Sequence, residues 1–273
     1  MINLKDSAGL PIVLNDDEKT MQLEFEGELI VETVKKREIR EMMAVLMDKP
    51  KIPKDRVIYK MYDGVYLQKD RNSFKKKRLR YDLTLIYPGK LGREFIKTAG
   101  HYHSISEDSS FSYPELYEVL DGEVHFILQR KGHREDEIED LVVIQASRGQ
   151  RIIVPPNYGH VAVNPGGTPL VLANWIAEDC KPDYRIISRY GGSALYEVEE
   201  QGKPQFIINK NYCSVPKHRT IAVNQSLTAI FKLDKEIPLY NILLGDPDSL
   251  DWLRYPSCEI RKFEDYIGNK LSS

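Results

Sequence analysis

Apolar and polar positions alternate over short intervals through the middle of this chain. Between residue 57 and about 208 the apolar runs are brief and β-branched or aromatic. They include Val57-Ile58-Tyr59, Val65-Tyr66-Leu67, Leu83 to Tyr87, Leu116 to Leu120 and Val124 to Leu128. Leu141 to Ile144, Ile152 to Val154, Val161 to Val163 and Leu170 to Trp175 continue the series. Gly, Pro and charged turns separate them, the pattern of a sandwich or jelly-roll barrel. Ahead of this region, Met21 to Phe25 reads as a strand. Ile39, Met42, Met43 and Leu46 form a helical stripe over residues 34–47, with Thr33 as N-cap and Asp48-Lys49-Pro50 as the stop. Lys69 to Arg80, with Lys75-Lys76-Lys77-Arg78, reads as a solvated turn between two strands. Beyond residue 212, Ile221 to Val223, Ala229 to Phe231, Leu239 to Leu244 and Ile260 suggest further strands, and Asp248 to Leu253 a short capped helix. The pattern predicts a mainly β protein in three parts. Residues 1–56 carry one helix packed on the barrel, 57–212 form the barrel, and 213–273 form an extension or small subdomain with a structural or subunit-contact role.

Composition narrows the class. The chain has 273 residues, 41% hydrophobic and 29% charged, enough to bury a real core. No apolar run approaches the ~20 residues that cross a bilayer. The first residues lack a charged start followed by an apolar stretch, so no secretory signal is expected. Cys180, Cys213 and Cys258 are odd in number and form no CxxC pair. Reduced thiols in a cytoplasmic protein follow. A net charge of −2 argues for neither nucleic acid nor an anionic membrane as partner.

Candidate chemistry sits in two segments. Gly100-His101-Tyr102-His103 is followed by Glu115, Tyr117 and Gly122. Gly149 to Pro156 is followed by His160 and Asn164. His101 and His103 are two apart, so on a strand they project to one face. Pro155-Pro156 breaks the chain just before His160. Three imidazoles and one carboxylate bind a borderline divalent metal without filling its coordination sphere. Glu118 is the rival carboxylate, on the opposite strand face from Glu115.

These segments resemble the two-part cupin motif, which implies a cupin jelly-roll barrel. Three departures stand out: the long run between His103 and Glu115, Asn157 in place of a glycine, and Phe95 in place of another. Slow growth of loop-closure cost accommodates the first. Asparagine is the non-glycine residue best suited to positive φ at position 157. The stretch Leu83 to His103, through Thr84, Pro88-Gly89-Lys90, Thr98 and Gly100, is similar to the cupin-type, archaeal-type glucose-6-phosphate isomerases. The likeness runs on through Pro155 to His160 and Asp183-Tyr184, and covers roughly residues 30–212. It implies His101, His103, Glu115 and His160 as ligands of one divalent metal per chain. Iron comes first, and manganese, nickel, cobalt and zinc also suit the set. It implies Thr84, Thr98, Gly100 and Tyr117 as sugar-phosphate contacts, with Tyr59 and Tyr184 further out. Arg93 and Lys97 add positive charge nearby or serve the surface. A phosphate-contacting tyrosine of the family would fall on Ile176. His125, on the strand after Gly122, adds a donor if it points inward and is an ordinary strand histidine otherwise. His133 and His218 read as surface residues.

The chemistry so implied is aldose–ketose isomerisation of glucose 6-phosphate and fructose 6-phosphate, a step of glycolysis and gluconeogenesis. Glu115 is the candidate base, with Tyr117 beside it; a direct hydride shift is the alternative. Other cupin enzymes, such as an epimerase or dioxygenase, and a non-catalytic sugar-binding or regulatory cupin are the competing classes. Sheet edges and the resemblance together favour a homodimer. The active site is expected to lie within residues 57–190.

Overall fold

The computed structural model describes residues 1–223 and 230–271. Three short strands, β1 (Ile2–Asn3), β2 (Ile12–Asn15) and β3 (Gln22–Phe25), form an N-terminal sheet. The expected strand at Met21 to Phe25 is β3. Next come β4 (Leu29–Glu38), β5 (Val57–Leu67), β6 (Leu79–Ile86), β7 (Lys90–Leu91), β8 (Glu94–Phe95) and β9 (Tyr102–His103). The central run continues as β10 (Glu115–Asp121), β11 (Glu123–Lys131), β12 (Ile138–Ser147), β13 (Arg151–Val154), β14 (Tyr158–Val163) and β15 (Leu170–Ala177). The last strands are β16 (Pro182–Asp183), β17 (Leu195–Glu200), β18 (Lys203–Ile208) and β19 (Arg219–Ala222).

Two sheets make the barrel. One has the order β13-β10-β15-β6-β5-β4, the other β14-β11-β12-β19. All pairs are antiparallel except β12 with β19. One core cluster draws Leu83, Leu172, Phe126 and Ile144 from both sheets. The mainly β barrel is thus as expected from strand spacing and the cupin resemblance. Hairpin β17–β18 packs beside it, joined to β8.

Several elements differ from expectation. Residues 34–47 are not one helix. Thr33 lies in the middle of β4, paired with Asp63, and only Ile39–Met42 is helical. The ten-residue β4 ladders with β5, and that pairing overrides a weak local helical stripe. The N-terminal segment therefore supplies a barrel strand as well as packing. The basic stretch after β5 is not a turn but a 3-10 turn, Gln68–Asp70, and a helix, Arg71–Lys77, whose Phe74 is buried.

In the tail, Leu239–Gly245 and Ile260–Ile267 are helices rather than strands. Ile230 and Phe231 sit in a helical turn, while Ala229 lies outside the described residues. The strand at Ile221 is β19, and Asp251–Leu253 is a 3-10 turn. This tail covers the outer face of the six-stranded sheet. Trp175 Nε1 donates to the Leu239 carbonyl at 2.8 Å, and Tyr240 packs edge-on against Tyr81 at 5.2 Å and Phe74 at 5.4 Å. Truncating one such buried aromatic costs ~3–5 kcal/mol.

Candidate active site

The four expected ligand residues meet at one point. His101 and His160 face each other across an antiparallel bridge, each amide donating to the other's carbonyl at 3.2 and 3.0 Å. That bridge fixes the separation of the two sequence segments. His103 follows on β9 with its ring on the same side, its Nε2 lying 3.2 Å from that of His101. Glu115 opens β10. Its Oε1 accepts from Asn174 Nδ2 at 2.7 Å, and its Oε2 lies 3.3 Å from His103 Nε2 and 3.5 Å from His160 Nε2. One donor atom from each residue lies within 4.8 Å of all the others.

The cluster fits a divalent cation on its own chemistry. Glu115 Oε2 is buried and has no hydrogen-bond partner, an expensive state for a carboxylate oxygen with nothing further to bind. His103 Nδ1 is 2.8 Å from the Tyr113 carbonyl, which can only accept. The ring proton therefore sits on Nδ1, and the Nε2 lone pair faces the cluster. Burial, then the neighbouring imidazoles, pushes the basicity of His101 and His160 well below the usual histidine range. Both rings are thus neutral and able to act as ligands. Glu118 leaves the cavity altogether: its Oε2 accepts from Arg151 Nε at 2.9 Å and from the Leu239 amide at 3.0 Å.

A cavity of about 350 Å³ opens above the cluster, and Thr84, Thr98, Gly100 and Tyr117 line it. Thr98 Oγ1 accepts from the Ala162 amide at 3.0 Å, which leaves its proton to donate. Gly100 has φ +77°, and a Cβ there would come within 2.5 Å of Val161 Cγ2. Only glycine allows that approach. Tyr117 Oη is 3.4 Å from His160 Nε2. Burial, then the Glu115 carboxylate, raises its pKa well above the phenol range, so it stays protonated. Tyr59 Oη accepts from the Ala99 amide at 3.3 Å. The Tyr184 ring, at the start of helix Arg185–Arg189, stands 5.2 Å from that of His101.

A family model described as "Glucose-6-phosphate isomerase (GPI)" matches residues 36–215. The chain belongs to the glucose-6-phosphate isomerase family. The glucose-6-phosphate isomerase of Thermococcus litoralis is 31% identical over 190 residues, covering 67% of this chain and 90% of that protein. That of Pyrococcus abyssi is 30% identical over 160 residues, covering 59% and 75%. The chain is thus an enzyme of this isomerase family. Among solved structures, Bacillus subtilis oxalate decarboxylase matches with TM-score 0.33 and 18% identity, over 50% of this chain and 30% of that one. Solanum melongena vicilin matches with TM-score 0.35 and 10% identity, over 50% and 32%.

Other expectations for this isomerase family member divide. Arg93 is exposed and pairs with Asp48 and Glu200. Lys97 is buried but bonds Glu94 at 2.5 Å, away from the cavity. His125 bonds Glu197 at 2.6 Å and does not line the cavity either. His133 is exposed, and His218 is half-buried against Phe206. Ile176 does line the cavity, where the family's tyrosine would fall. Asn157 takes φ +69°, and its side chain accepts from the Ser112 amide at 2.9 Å, anchoring the long loop before Glu115.

The cavity residues that were not expected include Arg37 on β4, Arg80 and Asp82 on β6, and Asn174 on β15. Asn174 interrupts an otherwise apolar strand, a signal visible in the sequence. Burial pushes the Asp82 carboxyl up to about 6, with the Arg80 guanidinium holding it down in part. Lys35 and Arg37 also carry the site outside residues 57–190.

Proposed function

We propose that this chain interconverts glucose 6-phosphate and fructose 6-phosphate, using a divalent metal held by His101, His103, Glu115 and His160. The observation that carries the reading is the unpartnered Glu115 Oε2, facing three imidazoles beneath a cavity lined by two threonine hydroxyls. Iron is the first candidate.

When bound, the ion supplies Lewis-acid stabilisation of negative charge on the substrate's C1 and C2 oxygens. Thr84, Thr98 and the Gly100 backbone hold the phosphate end and so orient the sugar. Tyr59 and Tyr184 line the same cavity. Glu115 removes the proton from one carbon and returns it to the next, the role a positioned carboxylate performs well. Asn174 fixes that carboxylate through Oε1. Tyr117, protonated at neutral pH, donates to a substrate oxygen. A direct hydride shift would leave Glu115 a holding role only, and the fate of deuterium at C2 separates the two routes.

The protein acts in the cytoplasm on this reading, which the three unpaired cysteines support. No described helix is long and apolar enough to cross a membrane. We assign a homodimer, since β4 is a ten-residue sheet edge with Ile30 and Val34 exposed. Residues 213–273 serve structure. The test is purified protein with each divalent metal in turn, fructose 6-phosphate in and glucose 6-phosphate out. Absence of turnover with every metal overturns the reading. H160A should lose metal while remaining folded.

A further inference from the structure

Most of β4 is solvent-exposed, but its end turns towards the cavity at Arg37, whose side chain is 22% exposed. Arg37 lies close to two aromatic rings. Its guanidinium carbon lies 5.8 Å from the Tyr59 ring centre and 5.7 Å from that of Tyr184. Its Nε donates to Tyr59 Oη at 3.1 Å, and its Nη1 to Glu41 Oε1 at 3.1 Å. Glu41 is itself fixed, its Oε2 accepting from the Glu38 amide at 2.8 Å. Nη2 of Arg37 has no partner among the described residues.

Two other cations line the cavity, and each is matched by its own carboxylate. Lys35 pairs with Asp63 at 2.5 Å, and Arg80 with Asp82 at 2.8 Å. Glu41, by contrast, is 39% exposed, so Arg37 keeps more of its field as well as a free edge. Arg37 lines the same cavity as Thr84 and Thr98. Arg37 is opposite Tyr59 across β4–β5, and Met61, two residues on, is opposite Thr84 across β5–β6. The Thr98 amide and hydroxyl both bond Ala162, one residue before Val163, and Tyr59 Oη bonds the Ala99 amide. Arg37 thus shares Tyr59 with the threonine end of the cavity. Meanwhile Ile176 removes a tyrosine hydroxyl that the family resemblance would supply.

We infer that Arg37 anchors the phosphoryl group of the sugar phosphate, presenting Nη2 at the end of the cavity formed by Tyr59, Thr84 and Thr98. This rests on the isomerase reading above and names a recognition residue for it. A planar guanidinium held by Tyr59 Oη and Glu41 loses little freedom on binding, and its charge-assisted donors outweigh one phenol hydroxyl. The N-terminal segment then has a direct part in substrate selection.

The test uses the full-length, metal-loaded protein and its variants R37M and R37K. Titration calorimetry with 6-phosphogluconate gives affinity, and inorganic phosphate is used as a competitor of that binding. Metal content and melting temperature are read alongside. R37M should weaken both phosphate-bearing probes by about 10- to 100-fold with metal content unchanged. R37K should recover part of the loss, since it restores charge without the fork. In turnover of fructose 6-phosphate, KM should rise more than kcat falls. Wild-type affinity for both probes in either folded variant overturns the inference. So does a fall in melting temperature or metal content with phosphate competition unchanged, which would make Arg37 a clip between β4 and Tyr184. If both variants fail to fold, Arg37 acts through the fold and the inference fails. Wild-type protein that binds both probes yet turns over no fructose 6-phosphate sinks the isomerase reading while leaving the Arg37 result standing.

Discussion

Glu115 and Glu118 stand three residues apart on β10, and both are almost fully buried. Glu118 faces the tail, where Arg151 and the Leu239 amide take up its carboxylate. Arg151 also donates to the carbonyls of Asp234 and Ile237. That face of the barrel is closed, with the charge matched and the donors used. Glu115 faces the interior, where Asn174 satisfies one oxygen and nothing satisfies the other. The difference teaches how to separate a structural carboxylate from a working one. Burial is shared, so burial does not distinguish them; the unspent acceptor facing three imidazoles does.

The largest effect should come from the interior. E115Q keeps shape but removes charge and basicity, and turnover should fall by ~10²- to 10⁴-fold. Bound metal should fall as well, as elemental analysis would report. Melting of the metal-free protein should not drop, because the lost charge had no protein partner on Oε2. E118Q should behave in the opposite way. Breaking a buried pair costs ~3–5 kcal/mol, read by urea unfolding, while the metal content of the folded fraction stays at the wild-type level. If E118Q strips the metal, or E115Q unfolds the barrel, the two faces are not independent and the comparison fails.

The four residues that cluster are legible in the sequence as candidate ligands because they depend on local offsets: a His-x-His on a strand, a fixed run to Gly122, a proline break before His160. Strand positions were legible for the same reason. What could not be read was set by register between distant strands. Arg37 reaches the cavity because β4 pairs with β5, and Asn174 reaches Glu115 because β15 lies between β10 and β6. Leu239 to Leu244 is an apolar run whose period does not separate helix from strand. It settled as a helix with Tyr240 buried and its hydroxyl on Asp70.

A smaller effect separates the interior by pH. His101 and His160 have folded pKa values below the ordinary 6.5. Below about 6.5 the unfolded chain binds more protons, so metal-free stability should be full above that pH and fall as pH drops through the folded values. Asp82 works in reverse. Its carboxyl is raised from 3.8 to about 6, so its contribution is present below pH 3.8 and lost as pH rises to about 6. Melting curves of wild type and D82N, taken across pH 4 to 7, isolate the two slopes. A wild-type stability independent of pH below 6.5, after subtraction of D82N, would mean that the imidazoles are not buried as described.

The smallest effect probes what holds the open face in place. Asn157 has φ +69°, a conformation that costs most residues energy, and its Oδ1 accepts from the Ser112 amide. N157G relieves the backbone cost but removes that bond, so the two terms oppose and net stability should shift by less than ~1 kcal/mol. N157A removes the bond and keeps the strain, and should cost ~1–2 kcal/mol. The Ser112 loop leads into Tyr113, whose carbonyl orients His103. Loosening it should therefore weaken metal binding more than it lowers the melting temperature, in both variants. Metal titration followed by thermal unfolding checks the order. Equal losses in the two measurements would place the effect in the fold at large, and the loop would lose its distinct part in setting the ligand geometry.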